Sequence, residues 1–275
     1  MLKLRIITAV CMASLFVAML FLLPSLWFAI AVLPLVMMGG WEWSKLIKIR
    51  STAARVMYLS TLIFIIFGLS IWLGLPDNFL PQQAQNILIG TVALWAIIFL
   101  WIQGYPSSSI LWSPRPVLAL LGLILLSVTW LSVVTILLGD HAQWGLMLGI
   151  LIIVFADIGG FVAGKLFGKH KLAPLVSPGK TWEGFVGAMG LQVLLIIFLV
   201  KYLPMEISLL KAAFLIFSVA LYSIIGDLFE SMVKRYSGVK DSGSLLPGHG
   251  GVLDRIDGVM AALPLYALLL GVWVS

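Results

Sequence analysis

A succession of apolar stretches, each close to the length a bilayer demands, constrains this chain more than any other feature. They run at about 5–23, 25–44, 55–75, 85–104, 115–138, 143–167, 183–203, 208–230 and 258–274. An α-helix rises about 1.5 Å per residue, so ~20 apolar residues cross a hydrocarbon layer of ~30 Å. No water reaches backbone N–H and C=O groups there, so each stretch is expected to be helical. Composition agrees: 62% of residues are hydrophobic, 10% are charged, and mean hydropathy is +1.14. Soluble domains carry roughly a quarter charged residues, and a soluble fold could not cover this much apolar surface. The expected architecture is an all-α polytopic membrane protein with about nine transmembrane helices. The first stretch follows Lys3 and Arg5 as a signal peptide would. No small-residue cleavage site precedes the next apolar run, so it reads as a retained span. Pro24 breaks the chain between the first two spans.

Charge distribution gives an orientation. With the N-terminus cytoplasmic and nine spans, the cytoplasmic loops receive 15 of the 17 Lys and Arg residues, and only Lys201 and Lys211 fall on the other side. Displacing the count by one span scrambles this division, so the asymmetry supports the span count and the orientation together. The C-terminus is then expected outside, and the membrane is expected to be the cell's inner membrane. The net charge of +6 is accounted for by cytoplasmic loops and gives no reason to expect nucleic acid as a partner. Cys11 is the single cysteine and lies in an apolar run, which excludes a disulfide framework and a cysteine metal site. Trp41, Trp43, Trp72, Trp101, Trp112 and Trp182 fall near span ends, as an interfacial aromatic belt would.

Polarity divides the chain into two regions. Residues 1–140 read as a transmembrane scaffold whose spans are nearly free of charge. Residues 141–275 read as a catalytic transmembrane region, the two forming one integrated membrane domain. Asp157 lies inside the sixth span, where a carboxylate is costly and implies a function or an internal ion pair. Gly160, Gly164 and Gly168 follow at intervals of four, the spacing of close helix packing. Lys165, Lys169, His170 and Lys171 cluster at that span's end. No second histidine stands at ligand spacing from His170, which reads as a loop residue.

Ser177-Pro178-Gly179-Lys180-Thr181 superficially resembles a phosphate loop, but Pro174 stands where a Walker A motif needs glycine. It reads as a turn in which Thr181 caps the following helix, and a lysine and a hydroxyl at a helix N-terminus suit an anion. Asp227, Glu230, Ser231 and Lys234 stand at i, i+3, i+4 and i+7, on one helix face. An irregular segment from Ser237 to Gly251 then precedes Asp254, Arg255 and Asp257. Such backbone is tolerated at membrane depth only where protein buries it or it lines a wet cavity. Two acidic pairs from two helix ends can hold a hard cation such as Mg²⁺. Carboxylates and many cations on one membrane surface fit metal-assisted phosphoryl chemistry. A different lipid or polyprenol phosphotransferase remains open at this point. An ion-coupled transporter fits less well, because the polar residues gather on one side only.

Ser231, Lys234-Arg235, Lys240-Asp241, His249-Gly250-Gly251 and Asp254-Arg255-Ile256-Asp257 share their order and spacing with a family signature. With Ser177 to Thr181 and Gly226-Asp227-Leu228, the chain resembles the phosphatidate cytidylyltransferases, or CDP-diacylglycerol synthases. The resemblance is specific from about Asp157 onward. Phe161 departs from it, standing where the family more often has tyrosine. The resemblance implies transfer of a cytidylyl group from CTP to phosphatidate, giving CDP-diacylglycerol and pyrophosphate for phospholipid biosynthesis. It implies Mg²⁺, K⁺ as a second cation, contact with membrane lipids, a homodimer and an active site on the cytoplasmic side. Carried over residue by residue, it implies Asp227, Asp254, Lys234 and Arg235 as catalytic. Asp227, Asp254 and Asp257 would be metal ligands. Ser177, Lys180, Thr181, Ser231, Lys240, His249, Arg255 and Asp157 would be substrate-binding.

Overall fold

The computed structural model describes residues 2–139, 142–202, 208–243, 245 and 250–273. His249, one of the expected substrate-binding residues, lies outside the described residues. The elements in chain order are α1 (Leu2–Leu22), α2 (Ser25–Leu46), α3 (Thr52–Trp72), α4 (Pro81–Gln103) and the short α5 (Ser109–Trp112). They continue with α6 (Arg115–Leu137), α7 (Ala142–Phe167), β1 (Lys171–Ala173), β2 (Ser177–Thr181), α8 (Trp182–Tyr202), α9 (Leu209–Ser237) and α10 (Leu253–Trp273). Among the described residues, 8 helices, α2 to α4 and α6 to α10, are long and apolar enough to cross a membrane. In α1 the apolar part, Ile7–Leu22, is shorter.

The α6 helix is the axis of the fold. It packs against α2, α3, α4, α7 and α10, and most of its length is buried. Its hydroxyls answer to its own backbone: Ser127, Thr129, Ser132 and Thr135 each donate to the carbonyl four residues earlier. A polar side chain satisfied within its own helix can be buried in an apolar core at little cost. Aromatic donors then tie neighbouring helices together: Trp43 Nε1 to the Leu118 carbonyl (2.8 Å), Trp130 Nε1 to Ala29 (2.9 Å) and Tyr266 Oη to Gly145 (2.8 Å).

Small residues bring α7 and α8 into backbone contact. A Cβ on Gly159 would sit 2.6 Å from the Gly187 carbonyl oxygen, and one on Gly184 would sit 2.8 Å from that of Gly160. Of the expected glycines, Gly160 and Gly164 lie at this contact beside Gly184, and Gly159, outside the expected spacing, packs on Gly187. The same device joins α9 to α10, where a Cβ on Gly226 would meet the Asp257 carbonyl oxygen at 2.3 Å. That approach places Asp227 and Asp257 beside one another on adjacent helices.

One local expectation changes. The segment expected as a turn at Ser177 to Thr181 is strand β2, paired antiparallel with β1; the two short strands satisfy each other's backbone groups where the chain leaves α7. As expected, the polar end of α9 is helical, running to Ser237 at the expected start of the irregular segment, with Leu228 to Val233 buried. Gly238 then stops the helix at φ +80°, a left-handed conformation that glycine adopts without strain.

Candidate active site

A cavity of about 1050 Å³ opens among α7, α8, β2, α9 and the start of α10. Its lining includes apolar side chains, among them Ala156, Phe161, Leu172, Phe185, Ala188 and Ile224. It also includes charged ones. Five carboxylates reach it, from Asp157, Asp227, Asp241, Asp254 and Asp257. Three cations accompany them, Lys180, Lys234 and Arg255.

The cavity's position follows from helix ends. Thr181 does cap α8: its buried Oγ1 accepts from the Gly184 N–H at 3.1 Å, satisfying one of the donors a helix start leaves open. This cap fixes Lys180, whose Nζ lies 2.5 Å from Asp227 Oδ2 on α9. The other oxygen of Asp227 accepts from Ser231 Oγ at 3.3 Å, one turn along the same helix. One turn further, Lys234 pairs with the fully buried Glu230. The shared face expected from the i, i+3, i+4, i+7 spacing is thus two linked i, i+4 pairs.

Lys234 also reaches across to α10, where its Nζ lies 2.6 Å from Asp254 Oδ1. Asp254 sits in the first turn of α10, where the helix dipole favours an anion. It accepts from the backbone N–H of Gly251 (2.8 Å) and of Ser242 (3.1 Å). Asp254 therefore closes the irregular loop onto the helix that follows it. Asp257, one turn on, accepts from the Gly258 N–H at 2.7 Å.

Of the expected site residues, the cavity wall contains Asp157, Lys180, Thr181, Asp227, Lys234, Asp254, Arg255 and Asp257. Ser177, Ser231, Arg235 and Lys240 stand outside it. Ser231 acts on the wall through Asp227. Arg235 is exposed and donates to the Val176 carbonyl at 3.3 Å, tying α9 to the β-hairpin. Lys240 is exposed in the loop. His170 pairs with Glu183 at 2.7 Å in the α7–α8 connection.

Among the described residues, no group of three or more His, Cys, Asp or Glu side chains is gathered closely enough to enclose a metal ion. Each carboxylate of the expected trio has a different partner: Lys180 for Asp227, Lys234 for Asp254, and the Gly258 N–H for Asp257. The donor chemistry nevertheless suits a hard cation. The wall's five carboxylates outnumber its three cations, and carboxylate oxygens are the ligands Mg²⁺ prefers. A cavity with excess negative charge admits a polyanion only when further positive charge accompanies it.

Two further carboxylates, Glu42 and Glu230, are fully buried. Glu230 was visible as part of the α9 face. Glu42 on α2 was not singled out from the sequence, yet it is fully buried and accepts from the Leu253 N–H at 2.8 Å and from Ser242 Oγ at 3.1 Å. The available signal was a lone carboxylate between Trp41 and Trp43 in an apolar span.

Taken together, these features define a polytopic membrane protein whose cavity is lined by both apolar and charged, phosphate-compatible side chains. The cytidylyltransferase family model matches residues 3–273, and the chain belongs to that family. It is similar to a phosphatidate cytidylyltransferase of Pseudomonas aeruginosa, 38% identical over 98% of this chain and 97% of the relative. One of Haemophilus influenzae is 37% identical over 97% of this chain and 98% of the relative. One of Staphylococcus aureus is 45% identical over 44% of this chain and 46% of the relative.

Proposed function

We propose that this protein transfers the cytidylyl group of CTP to phosphatidate, releasing pyrophosphate and giving CDP-diacylglycerol for phospholipid synthesis. The observation that carries the reading is a cavity lined by both apolar and charged side chains. The apolar residues suit acyl chains, while Lys180 and Lys234 suit phosphate oxygens. Family membership and the full-length relatives named phosphatidate cytidylyltransferase support the same chemistry.

The reaction needs two anions brought together. A phosphate oxygen of phosphatidate attacks the α-phosphorus of CTP, the bond to the β-phosphate oxygen breaks, and pyrophosphate leaves with the bonding electrons. Phosphatidate is already an anionic nucleophile, so no side chain has to remove a proton from it. The work of the protein is positioning and charge neutralisation. Lys180 and Lys234 are held by carboxylates in the structure, and they can exchange those partners for phosphate oxygens. Arg255 adds a third cation at the wall. Thr181 holds the Lys180 segment through its cap on α8.

Asp227 and Asp257, with Asp254 beside Lys234, would hold Mg²⁺. When bound, Mg²⁺ would neutralise charge on the nucleotide phosphates and polarise them. K⁺ as a second cation, and a homodimer, are proposals that rest on the family resemblance. The inner membrane, with the cavity facing the cytoplasm, is the placement that 15 of 17 Lys and Arg residues on one side supports.

The direct test uses purified protein in lipid nanodiscs with CTP, phosphatidate and Mg²⁺. CDP-diacylglycerol and pyrophosphate are expected in equal amounts, with product lost on adding EDTA and restored by excess Mg²⁺. Folded protein that forms no CDP-diacylglycerol overturns the activity. Full turnover in EDTA overturns the Mg²⁺ assignment alone.

A further inference from the structure

The deepest connection between the scaffold and the cavity runs through Glu42. Its side chain is 0% exposed at the end of α2, and a buried carboxylate is retained only where it is well partnered or serves a function. Its Oε2 accepts from the first N–H of α10, at Leu253, and from Ser242 Oγ in the irregular loop. The loop is shaped to receive it. A Cβ on Gly243 would lie 2.1 Å from Glu42 Oε1, and a Cβ on Gly251 would lie 2.4 Å from Oε2. Only glycine admits the carboxylate at both places.

The same loop residues serve Asp254. Ser242 gives its hydroxyl to Glu42 and its backbone N–H to Asp254. Gly251 packs against Glu42 and gives its N–H to Asp254. Leu253, bonded to Glu42, immediately precedes Asp254. The two carboxylates therefore grip one loop from opposite sides, Glu42 from the scaffold and Asp254 from the cavity. Asp254 in turn holds Lys234 at 2.6 Å. A second tie runs parallel, from Ser237 Oγ on α9 to the Leu46 carbonyl of α2 at 2.8 Å.

We propose that Glu42 is a positioning residue for cytidylyl transfer: it fixes Ser242 and Leu253, and through them Asp254 and Lys234, against the scaffold. It touches no reacting atom. Its effect is on where the charged residues of the cavity stand. Misplacing a reacting constellation by about 1 Å can cost about a hundredfold in rate. Among the described residues, both hydrogen bonds to Glu42 arrive at a single carboxylate oxygen, Oε2, so they call for an acceptor rather than for a charge. A glutamine offers the same oxygen and the same length.

This inference rests on the activity proposed above, and the tests separate the two. Wild-type protein that forms no CDP-diacylglycerol fails the activity reading. Variants are then compared with active wild type. In nanodiscs, Glu42→Ala and the shorter Glu42→Asp are expected to lower kcat at saturating CTP and phosphatidate by about tenfold or more, whereas Glu42→Gln stays within about threefold of wild type. The KM for CTP is expected to move less than kcat. A merely structural role would reduce the folded fraction and leave kcat per folded molecule alone. Folded Glu42→Ala with wild-type kcat overturns the proposal, as does Glu42→Gln falling as far as Glu42→Ala. Should Glu42→Ala not fold, Ser242→Ala decides. It removes the hydroxyl link and keeps both backbone bonds to Asp254. A lowered kcat with an unchanged melting temperature supports the proposal, and an unchanged kcat overturns it.

Discussion

Polar side chains are treated differently in the two regions of this molecule. In α2 to α6 they turn inward on single helices or cap a neighbour's carbonyl. Thr91, Ser127, Thr129 and Ser132 donate to the carbonyl of their own preceding turn, and Trp43 and Trp130 donate across one helix contact. In the region from α7 to α10 side chains also bond to side chains: Lys180 of β2 to Asp227 and Lys234 to Asp254 across elements, and Lys234 to Glu230 within α9. The first arrangement makes a rigid apolar frame whose polar groups are already satisfied. The second keeps charges that can change partners when an anionic substrate arrives. The difference teaches that location in the chain is a poorer guide to role than the kind of partner a polar group has. Glu42 lies in the first region and bonds like the second.

The largest effect should come from a carboxylate at the cavity. Asp227→Asn removes a negative oxygen from the α9–α10 contact while keeping shape. Turnover is expected to fall by about a thousandfold, which corresponds to ~4 kcal/mol of transition-state stabilisation. Near-normal kcat in folded protein, measured as CDP-diacylglycerol formed per minute, would remove Asp227 from the site. The comparison would then lose its strongest member on the charged side.

Lysine variants sharpen the boundary of that side. Lys180→Ala takes away a cation on the wall, and kcat/KM for CTP is expected to fall by about 10- to 100-fold, the scale of one charged hydrogen bond. Arg235→Ala removes an exposed cation off the wall that holds the Val176 carbonyl. Its loss is expected to stay below about tenfold. The reverse order would show that the anion meets the loop rim before it meets the cavity.

The scaffold should answer in stability alone. Trp130→Phe deletes the donor to the Ala29 carbonyl, well along α2 from Glu42. Stability is expected to drop by about 1 kcal/mol, read by thermal unfolding in detergent, with kcat per folded molecule unchanged. A rate loss without a melting shift would break the division between frame and machinery.

How much of this was legible in the sequence follows from range. Helix spans are local, and the apolar lengths placed α6, at Arg115–Leu137, within one residue. The Thr181 cap and the α9 face are also local, set by spacings of three and four. The β1–β2 pairing was hidden because so short a strand pair has no periodicity to read. The apolar stretch begins only near residue 258, but the three-residue spacing of Asp254 and Asp257 already places both on one face of a helix end, and α10 starts at Leu253. Glu42 meets Leu253 across 211 positions, and only the fold brings them together. The sequence rule that flagged Asp157 applied to it equally, but its place among interfacial tryptophans masked it.

The smallest effect is expected at His170, and it tests where the machinery stops. His170 and Glu183 form a pair at 2.7 Å at the start of α8, with the histidine side chain 78% exposed. Glu183 also accepts from the backbone N–H of Lys169 and of His170. Those bonds survive His170→Ala, since only the ring is removed. Exposed pairs of this kind are screened by water and contribute little. Kinetics and melting temperature are therefore expected to match wild type. A fall in kcat of more than about threefold, beyond what a surface pair supplies, would have to travel through Glu183 and the α8 start to Thr181 and Lys180. The connection between α7 and β1 would then belong with the charged machinery rather than with its supports.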